Sequence, residues 1–460
     1  MLRDIKRRET AASMMLAGVM AAALVIASCN GHGGERDYGA SLLASSYFAN
    51  QELPVKGDGL YVSPDAKSNL TVSGPVRVLK LSGTRSRMGY AYGYLLAAEI
   101  MNTMNRFSCW VASHRNYDYA ALGDRQAYVA WDPDSLAEMQ GMLDGMGDAL
   151  PEGDLAVRPA GGVAHRVNLD DLKILNTLAD WACSSFSVWG GGRSLDGGST
   201  LMARNLDYYI DPGATIKRSH VIISYNPSAG TRWVNVAFCG IIGCISGMNE
   251  YGVAGIIQNT IHLPNTDASG FIPRSIALRK VLEGSDGSST PADIEAMLEG
   301  FPNYNGCNYL FAYPSAGRTG DDIAAVMEYD GKADHPDGRV THRKPSDNGT
   351  LPWNADYDQR VSLSYAIINT NHYLKRYSEI SYVESAKRYC TIKEMLPVAL
   401  GDGHVSREEG RAIMEAVGGY GTLHTVIFEP DNLFLRIYLS SGDRGAFEYP
   451  EHDFLFEELF

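Results

Sequence analysis

The chain has 460 residues, 45% of them hydrophobic and 20% charged, the balance of a globular protein with one large or two medium domains. Its formal net charge is −14, and no block of Lys and Arg interrupts the acidity. That argues against nucleic acid as a partner, because such binding works by neutralising phosphates with cations.

The chain opens with Arg3, Lys6, Arg7 and Arg8, followed by an apolar run over 14–26. A positive start and a short apolar stretch mark an export signal, and the run is short for a membrane span. Ile26-Ala27-Ser28-Cys29 resembles the bacterial lipobox. That resemblance implies removal of residues 1–28 and a lipid on Cys29, so the expected place is the cell envelope, reached through a membrane anchor. Asn30 after the cysteine favours the outer membrane. Residues 29–61, rich in Gly, Ser and Ala, read as a flexible tether.

In chain order, residues 76–81 (VRVLKL) read as a strand and 87–101 as a helix with small residues on one side. Over 134–150, Leu136, Met139, Met142, Leu143 and Met146 recur three and four apart, as in an amphipathic helix. Asn168 suits the N-cap of a helix reaching 181, with Asp170 and Asp171 as its N-terminal charges. Up to this point the chain is mainly helical. The pattern then changes to short β-branched and aromatic runs at 200–203, 220–225, 233–238 and 253–258, separated by turn residues. Helices near 274–282 and 291–298 precede strands at 309–312 and 323–329. A polar loop covers 331–359. A strand at 365–369, helices near 385–396 and 406–417, and strands at 424–428 and 433–438 follow. Runs of strands alternating with runs of helices predict a layered α+β fold.

Besides Cys29 the chain holds Cys109, Cys183, Cys239, Cys244, Cys307 and Cys390. They show no dense disulfide framework and no CxxC zinc motif, and Cys239 and Cys244 lie in an apolar stretch that belongs in the core. No metal or organic cofactor is implied.

Cys183 stands where helix gives way to strand, in ADWACSSFSVWGGG. A nucleophilic thiol needs a base or a lowered pKa. Neither His262 nor His372 sits in a recognisable partner pattern. A cut between Ala182 and Cys183 offers another base. The freed α-amine, with a pKa of about 7.7–8.0, would lie on the same residue as the thiol and could accept its proton near neutral pH.

The stretch CSSFSVWGGGRSLDGGSTLMARNLDYY resembles the opening of the N-terminal-nucleophile (Ntn) hydrolases that act on amides. These include choloylglycine hydrolases, acid ceramidase and the acyl-CoA:6-aminopenicillanate acyltransferase (peptidase C45) family. Their pattern of Cys, strand, turn, strand and A/G-R-N-x-D falls here on Cys183 and on Ala203-Arg204-Asn205-Leu206-Asp207. The Cys-to-Arg spacing is a few residues longer than the family's, and the extra residues fall in GGGRSLDGG. VRVLKLSGTRSRMGYAYGYLL matches the family's pro-segment. GMNEYGVAGIIQNT places Asn259, INTNHY places Asn371, and SYVESAKRY places Arg388 at family site positions.

The resemblance implies a four-layer αββα sandwich. Residues 62–182 would be a mainly helical pro-segment (α chain), retained as a heterodimer partner, and 183–460 the catalytic β chain. It further implies autocleavage between Ala182 and Cys183 and attack of the Cys183 thiol on an acyl carbon, with the Cys183 amine as base. Asp207 would anchor that amine, Arg204 would favour the thiolate, and Asn371 would donate to the oxyanion. Asn259 would serve oxyanion or substrate binding, and Arg388 would be an active-site arginine. The expected partner is a small-molecule acyl amide or thioester: a conjugated bile acid, a β-lactam side chain, an N-acyl amino acid or an acyl sphingoid base. Two alternatives are a non-catalytic surface-binding lipoprotein on the same fold and a Cys–His hydrolase using His262 or His372 without autocleavage.

Overall fold

The computed structural model describes residues 52–460 except 115–116, 160–161, 178–181, 190–198, 209, 212, 261–269, 305, 355, 378–381 and 403. The export signal, Cys29, the tether as far as residue 51, the Gly-rich turn at 190–198 and His262 therefore lie outside the described residues.

The leading segment begins with three strands, β1 (Gly59–Val62), β2 (Asn69–Ser73) and β3 (Val76–Gly83). Only β3 is legible in the sequence, and β1 begins inside the stretch read as tether. The helices α1 (Arg85–Leu95) and α2 (Ala97–Asn102) follow, then a π-helical turn over Thr103–Ser108. Next come α3 (Cys109–His114), α4 (Tyr119–Arg125), α5 (Pro133–Ala149), the two-residue strands β4 (Ala156–Val157) and β5 (His165–Arg166), and α6 (Leu169–Thr177). Caps fix the main helix starts. Asp132 accepts from the Ser135 amide ahead of Pro133, and Asn168 accepts from the amides of Asp170 and Asp171. The last helix is described as far as Thr177, and the remainder of the stretch expected to be helical, 178–181, lies outside the described residues.

Helices α1 and α5 touch backbone to backbone. A Cβ on Gly89 or Gly93 would fall 2.0 Å from the carbonyl oxygen of Glu138 or Met142. One on Gly141 or Gly145 would fall 2.3 or 2.1 Å from that of Ser86 or Tyr90. Each helix thus carries a Gly-x-x-x-Gly stripe that fits the other, and no larger residue fits.

The rest of the chain supplies β6 (Ala182–Val188), β7 (Leu201–Asp207), α7 (Thr215–Arg218), β8 (His220–Pro227), β9 (Trp233–Phe238), β10 (Ser246–Asn249) and β11 (Ala254–Asn259). It continues through α8 (Arg274–Gly284), α9 (Pro291–Glu299), β12 (Cys307–Ala312), β13 (Ala324–Tyr329), β14 (Val340–Arg343) and β15 (Ala366–Asn369). It ends with α10 (Val383–Ala399), α11 (Arg407–Ala416), β16 (Thr422–Glu429), β17 (Phe434–Leu439) and β18 (Glu451–Leu455). The residue pattern misses β10, β14 and β18, although the resemblance of GMNEYGVAGIIQNT to a family strand-turn-strand implies β10. The first, Ser-Gly-Met-Asn, has little strand propensity and forms because β9 and β11 pair with it on both sides. The second is four residues inside the stretch read as a polar loop.

Ten strands form one sheet in the order β1-β2-β3-β8-β9-β10-β11-β12-β13-β14, and six form another in the order β15-β6-β7-β16-β17-β18. Three apolar cores lie around them. Ile222, Val236, Ile256 and Leu310 of the large sheet meet Met202, Val426, Phe428 and Ile437 of the small one. Helices α1, α5, α6, α8 and α9 cover the outer side of the large sheet through residues such as Tyr92, Met142, Leu175, Val281 and Ile294. Helices α10 and α11 cover the small sheet through Tyr389, Ile392 and Ile413. The layers run helix, sheet, sheet, helix, so the fold is an α+β αββα sandwich.

The leading segment is part of this architecture. Strand β3 pairs with β8 in parallel, from Val78 opposite Ile222 to Gly83 opposite Pro227. Its α5 also reaches α8 through a buried pair, Glu138 Oε2 to Arg279 Nη2 at 2.6 Å, while Arg85 of α1 holds Glu283 of α8 with two bonds of 2.7 Å.

Candidate active site

Strands β6 and β7 pair antiparallel, with Ala182 opposite Asp207, Cys183 opposite Leu206 and Ser185 opposite Arg204. Side chains alternate across a strand. Cys183, Arg204 and Leu206 therefore point into the space between the sheets, and Ser184, Asn205 and Asp207 point toward α10 and α11. Asn205 accordingly donates to the Met414 carbonyl on α11 and accepts from Thr425.

On the inward face Arg204 Nη2 lies 2.9 Å from Cys183 Sγ and 3.0 Å from the Ile257 carbonyl. Its Nη1 donates to the Ile245 carbonyl at 3.0 Å and, in a short contact, to Ser246 Oγ. Both Cys183 and Arg204 are fully buried. Burial pushes the Cys183 thiol up, with the Arg204 guanidinium pulling against it and the Asp207 carboxylate adding to the rise. In the uncut chain the sulfur is therefore a thiol.

On the outward face the backbone N–H of Cys183 donates to Asn371 Oδ1 at 3.0 Å. Arg388 Nη2 donates to the same oxygen at 2.7 Å. Two donors on one side fix the amide orientation, so Asn371 Nδ2 faces the Asn259 carbonyl at 2.6 Å and keeps its second hydrogen. Arg388 Nη1 also donates to the Cys183 carbonyl at 3.2 Å and to Ser184 Oγ at 3.0 Å, and lies 3.7 Å from Asp207 Oδ2. The other Asp207 oxygen accepts from Thr422 Oγ1 at 2.5 Å. Asn259 Oδ1 accepts from Arg274 Nη1 at 2.6 Å. Cys183, Arg204, Asp207, Asn259, Asn371 and Arg388 are thus linked through direct contacts around one junction, the peptide that joins Ala182 to Cys183.

Asn371 is held from behind as well. Asn308 Nδ2, on β12, lies 3.1 and 3.0 Å from the carbonyls of Thr370 and His372, on either side of it. His372 is turned elsewhere: its Nε2 meets Gln359 at 2.8 Å and its Nδ1 meets Ser385 Oγ at 2.7 Å. Burial pushes its pKa down to about 3, so the ring is neutral. The six described cysteines carry free thiols. Among the described residues no three His, Cys, Asp or Glu side chains converge where a metal ion could sit.

Sequence reasoning misses Ser246, Arg274 and His424. Ser246 Oγ and His424 Nε2 are 3.1 Å apart beside Arg204. One signal was present. On β16, His424 occupies the inward register that Val426 and Phe428 continue, a polar residue where the pattern calls for an apolar one.

A comparison with curated proteins returned no match. Among solved structures the chain is distantly similar to a Caenorhabditis elegans N-acylethanolamine-hydrolyzing acid amidase ortholog (14% identity, TM-score 0.36, covering 54% of this chain and 93% of that one). It is also similar to a mutant of the conjugated bile acid hydrolase from Clostridium perfringens (13%, TM-score 0.37, 60% and 93%). A third is penicillin V acylase from Agrobacterium tumefaciens (13%, TM-score 0.33, 56% and 84%). The family described as acyl-coenzyme A:6-aminopenicillanic acid acyl-transferase matches residues 194–444, a span that includes Arg204, Asp207, Asn259, Asn371 and Arg388 and begins after Cys183. That span exceeds half of the chain, and the protein belongs to this family of Ntn amide hydrolases and acyltransferases.

Proposed function

We propose that the protein is an N-terminal-cysteine amide hydrolase or acyltransferase, made active by a cut between Ala182 and Cys183. The observation that carries this reading is the junction itself: the Cys183 N–H sits 3.0 Å from Asn371 Oδ1, and the Cys183 sulfur 2.9 Å from Arg204 Nη2. The nitrogen that a cut would free and the thiol it would serve are already held by different groups.

For the cut, the Cys183 sulfur attacks the Ala182 carbonyl carbon, the C–N bond breaks, and the acyl chain moves to sulfur as a thioester while the nitrogen leaves as an amine. Water then hydrolyses the thioester, giving the Ala182 carboxylate and a free thiol beside a free α-amine. In turnover that amine takes the thiol proton and passes it to the leaving group. Asp207 and the Asn371 oxygen hold the amine. The remaining Asn371 Nδ2 hydrogen serves the oxyanion, a kind of contact whose loss typically costs about 2.7–4 kcal/mol of transition-state stabilisation. Arg388 positions Asn371, and Arg274 positions Asn259.

The substrate is an acyl amide or thioester, released to water or to an acceptor amine. The leading segment stays bound after the cut, a reading supported by the parallel β3–β8 pair and the buried Glu138–Arg279 pair. The N-terminal motif supports export and anchoring through a lipid on Cys29.

N-terminal sequencing and intact mass of active protein test the proposal. A second chain beginning at Cys183 is expected. Cys183→Ala should leave the chain uncut and lower turnover by about 10⁴-fold or more. Full activity in an uncut chain, or in that variant, would end the proposal.

A further inference from the structure

Arg204 is a fully buried cation that makes no ion pair with a carboxylate among the described residues. Its neighbours are the thiol, two carbonyls, a hydroxyl and a ring nitrogen. An unpaired buried charge is costly unless dipoles are aimed at it, so the orientation of those dipoles matters.

The hydrogen-bond directions can be worked out from both ends. A guanidinium only donates, so Ser246 Oγ accepts from Arg204 and sends its own proton elsewhere. The acceptor within reach is His424 Nε2, at 3.1 Å. Arg204 Nη1 also lies 3.5 Å from that nitrogen, which places no proton on it. His424 is therefore protonated on Nδ1. At the other end His220 Nδ1 is 2.9 Å from the Lys217 carbonyl, which only accepts, so His220 carries its proton on Nδ1 and offers Nε2 as an acceptor.

His424 Nδ1 and His220 Nε2 are both buried and have no partner among the described residues. They are a donor and an acceptor on rings whose centroids lie 5.6 Å apart at 62°. Phe238 flanks both rings. Burial and the Arg204 charge hold His424 well below the usual imidazole range, and burial pushes His220 down to about 4. Both rings are neutral.

We propose that Ser246 and the neutral His424 are positioning residues that orient Arg204 against the Cys183 sulfur, through a directed path from His424 to Ser246 to Arg204 that crosses between the two sheets and back. By drawing the Ser246 proton to itself, His424 leaves a serine lone pair for Arg204 Nη1, and this fixes where Nη2 points. The proposal rests on Cys183 being the nucleophile.

The test uses mature full-length protein and iodoacetamide, with the rate at the Cys183 peptide followed by mass spectrometry across pH. His424→Phe keeps a ring and removes the acceptor. It should slow Cys183 alkylation at pH 7 by about tenfold, equivalent to a rise of about one unit in apparent thiol pKa, while alkylation of Cys390 stays unchanged. His424→Asn restores an acceptor oxygen and should recover most of the rate. Ser246→Ala should match His424→Phe, and the double variant should be no slower than either single one.

An unchanged Cys183 profile in folded His424→Phe or Ser246→Ala overturns the proposal, as does failure of folded His424→Asn to recover. Should His424→Phe not fold, Ser246→Ala decides alone. Failure of the underlying reading is separate: it appears in wild-type protein as an uncut chain with activity that survives Cys183→Ala.

Discussion

On the inward face of β6 and β7, Cys183 and Arg204 are sealed from water among carbonyls, a serine and neutral histidines. On the outward face, Asp207 and Arg388 form a charged pair beside the buried Ser184 and keep partial contact with solvent; their side chains are 20% and 18% exposed. Strands β6 and β7 carry both, Cys183 beside Ser184 and Arg204 three residues before Asp207, with Arg388 added to the outward side from α10. The inward face governs the charge state of the sulfur, where a single cation has a large effect because nothing screens it. The outward face governs position, holding the peptide nitrogen, the Cys183 carbonyl and the Asn371 amide in one arrangement.

The comparison is broken most sharply on its inward side. Arg204→Met removes the cation that touches the sulfur and should cut kcat/KM by about 10- to 10³-fold, the range expected from losing an opposite charge beside an ionising group. The kcat/KM pH profile should move to higher pH at the same time. A loss of rate with no such movement would assign Arg204 a structural role.

Arg388→Ala comes next and acts on the outward side. It removes hydrogen bonds to Cys183, Ser184 and Asn371, and should slow both the cut and turnover by about 10- to 100-fold, in line with about 1.5–3 kcal/mol for charge-assisted bonds. The pH profile should move less than in Arg204→Met, because Arg388 is the weaker of the two cations acting on the sulfur and its main effect is geometric. Time courses of cutting, run beside the pH series, separate the two faces.

Gly141→Ala should leave both faces alone and weaken the scaffold. Its Cβ would collide with the Ser86 carbonyl at 2.3 Å, so α1 and α5 must move apart, at a cost of about 1–3 kcal/mol. A lower Tm with kcat unchanged is expected, and an unaltered Tm would mean that the helices can part freely.

The smallest effect concerns His165, whose Nε2 faces both Asp171 oxygens at 3.0 and 3.1 Å. Hydrogen bonding to Asp171 holds the imidazole above its ordinary value against an opposing effect of burial. Stability from this pair is present in full below about pH 6.5, the ordinary imidazole value, and is lost as pH rises through the raised one. Wild type should exceed His165→Gln in Tm at pH 5.5 and approach it by pH 9. A gap that does not narrow would show that protonation contributes nothing.

Much of this arrangement was legible in the sequence because it follows local periodicity. Helical spacing over 134–150 identifies α5, and the Cys-to-ARNLD pattern places Arg204 and Asp207 at the site; that they fall on opposite faces, Asp207 against Arg388 rather than Arg204, emerges only from the strand pairing. Asn371 and Arg388 were legible only through their likeness to family motifs. Strands β1 and β14 were not legible, and β10 only through a family likeness, since each is four residues long and owes its form to a neighbouring strand. Ser246 and His424 escaped notice for a related reason. Nothing within either segment reports on Arg204, and the three residues, 42 and 178 positions apart from one another in the chain, meet only after the sheets have closed.

The β3–β8 pairing has one more consequence. Severing the backbone ahead of residue 183 would yield two polypeptides stitched into a single ladder of hydrogen bonds. Pulling them apart would bare one edge of β8 and strand Glu138 in oily surroundings without its cation, leaving Arg279 only Glu283 as a counter-charge. The halves should therefore travel as one particle on gel filtration and part into two bands only in detergent. Made from separate messages in the same cell, they should find each other and rebuild the whole.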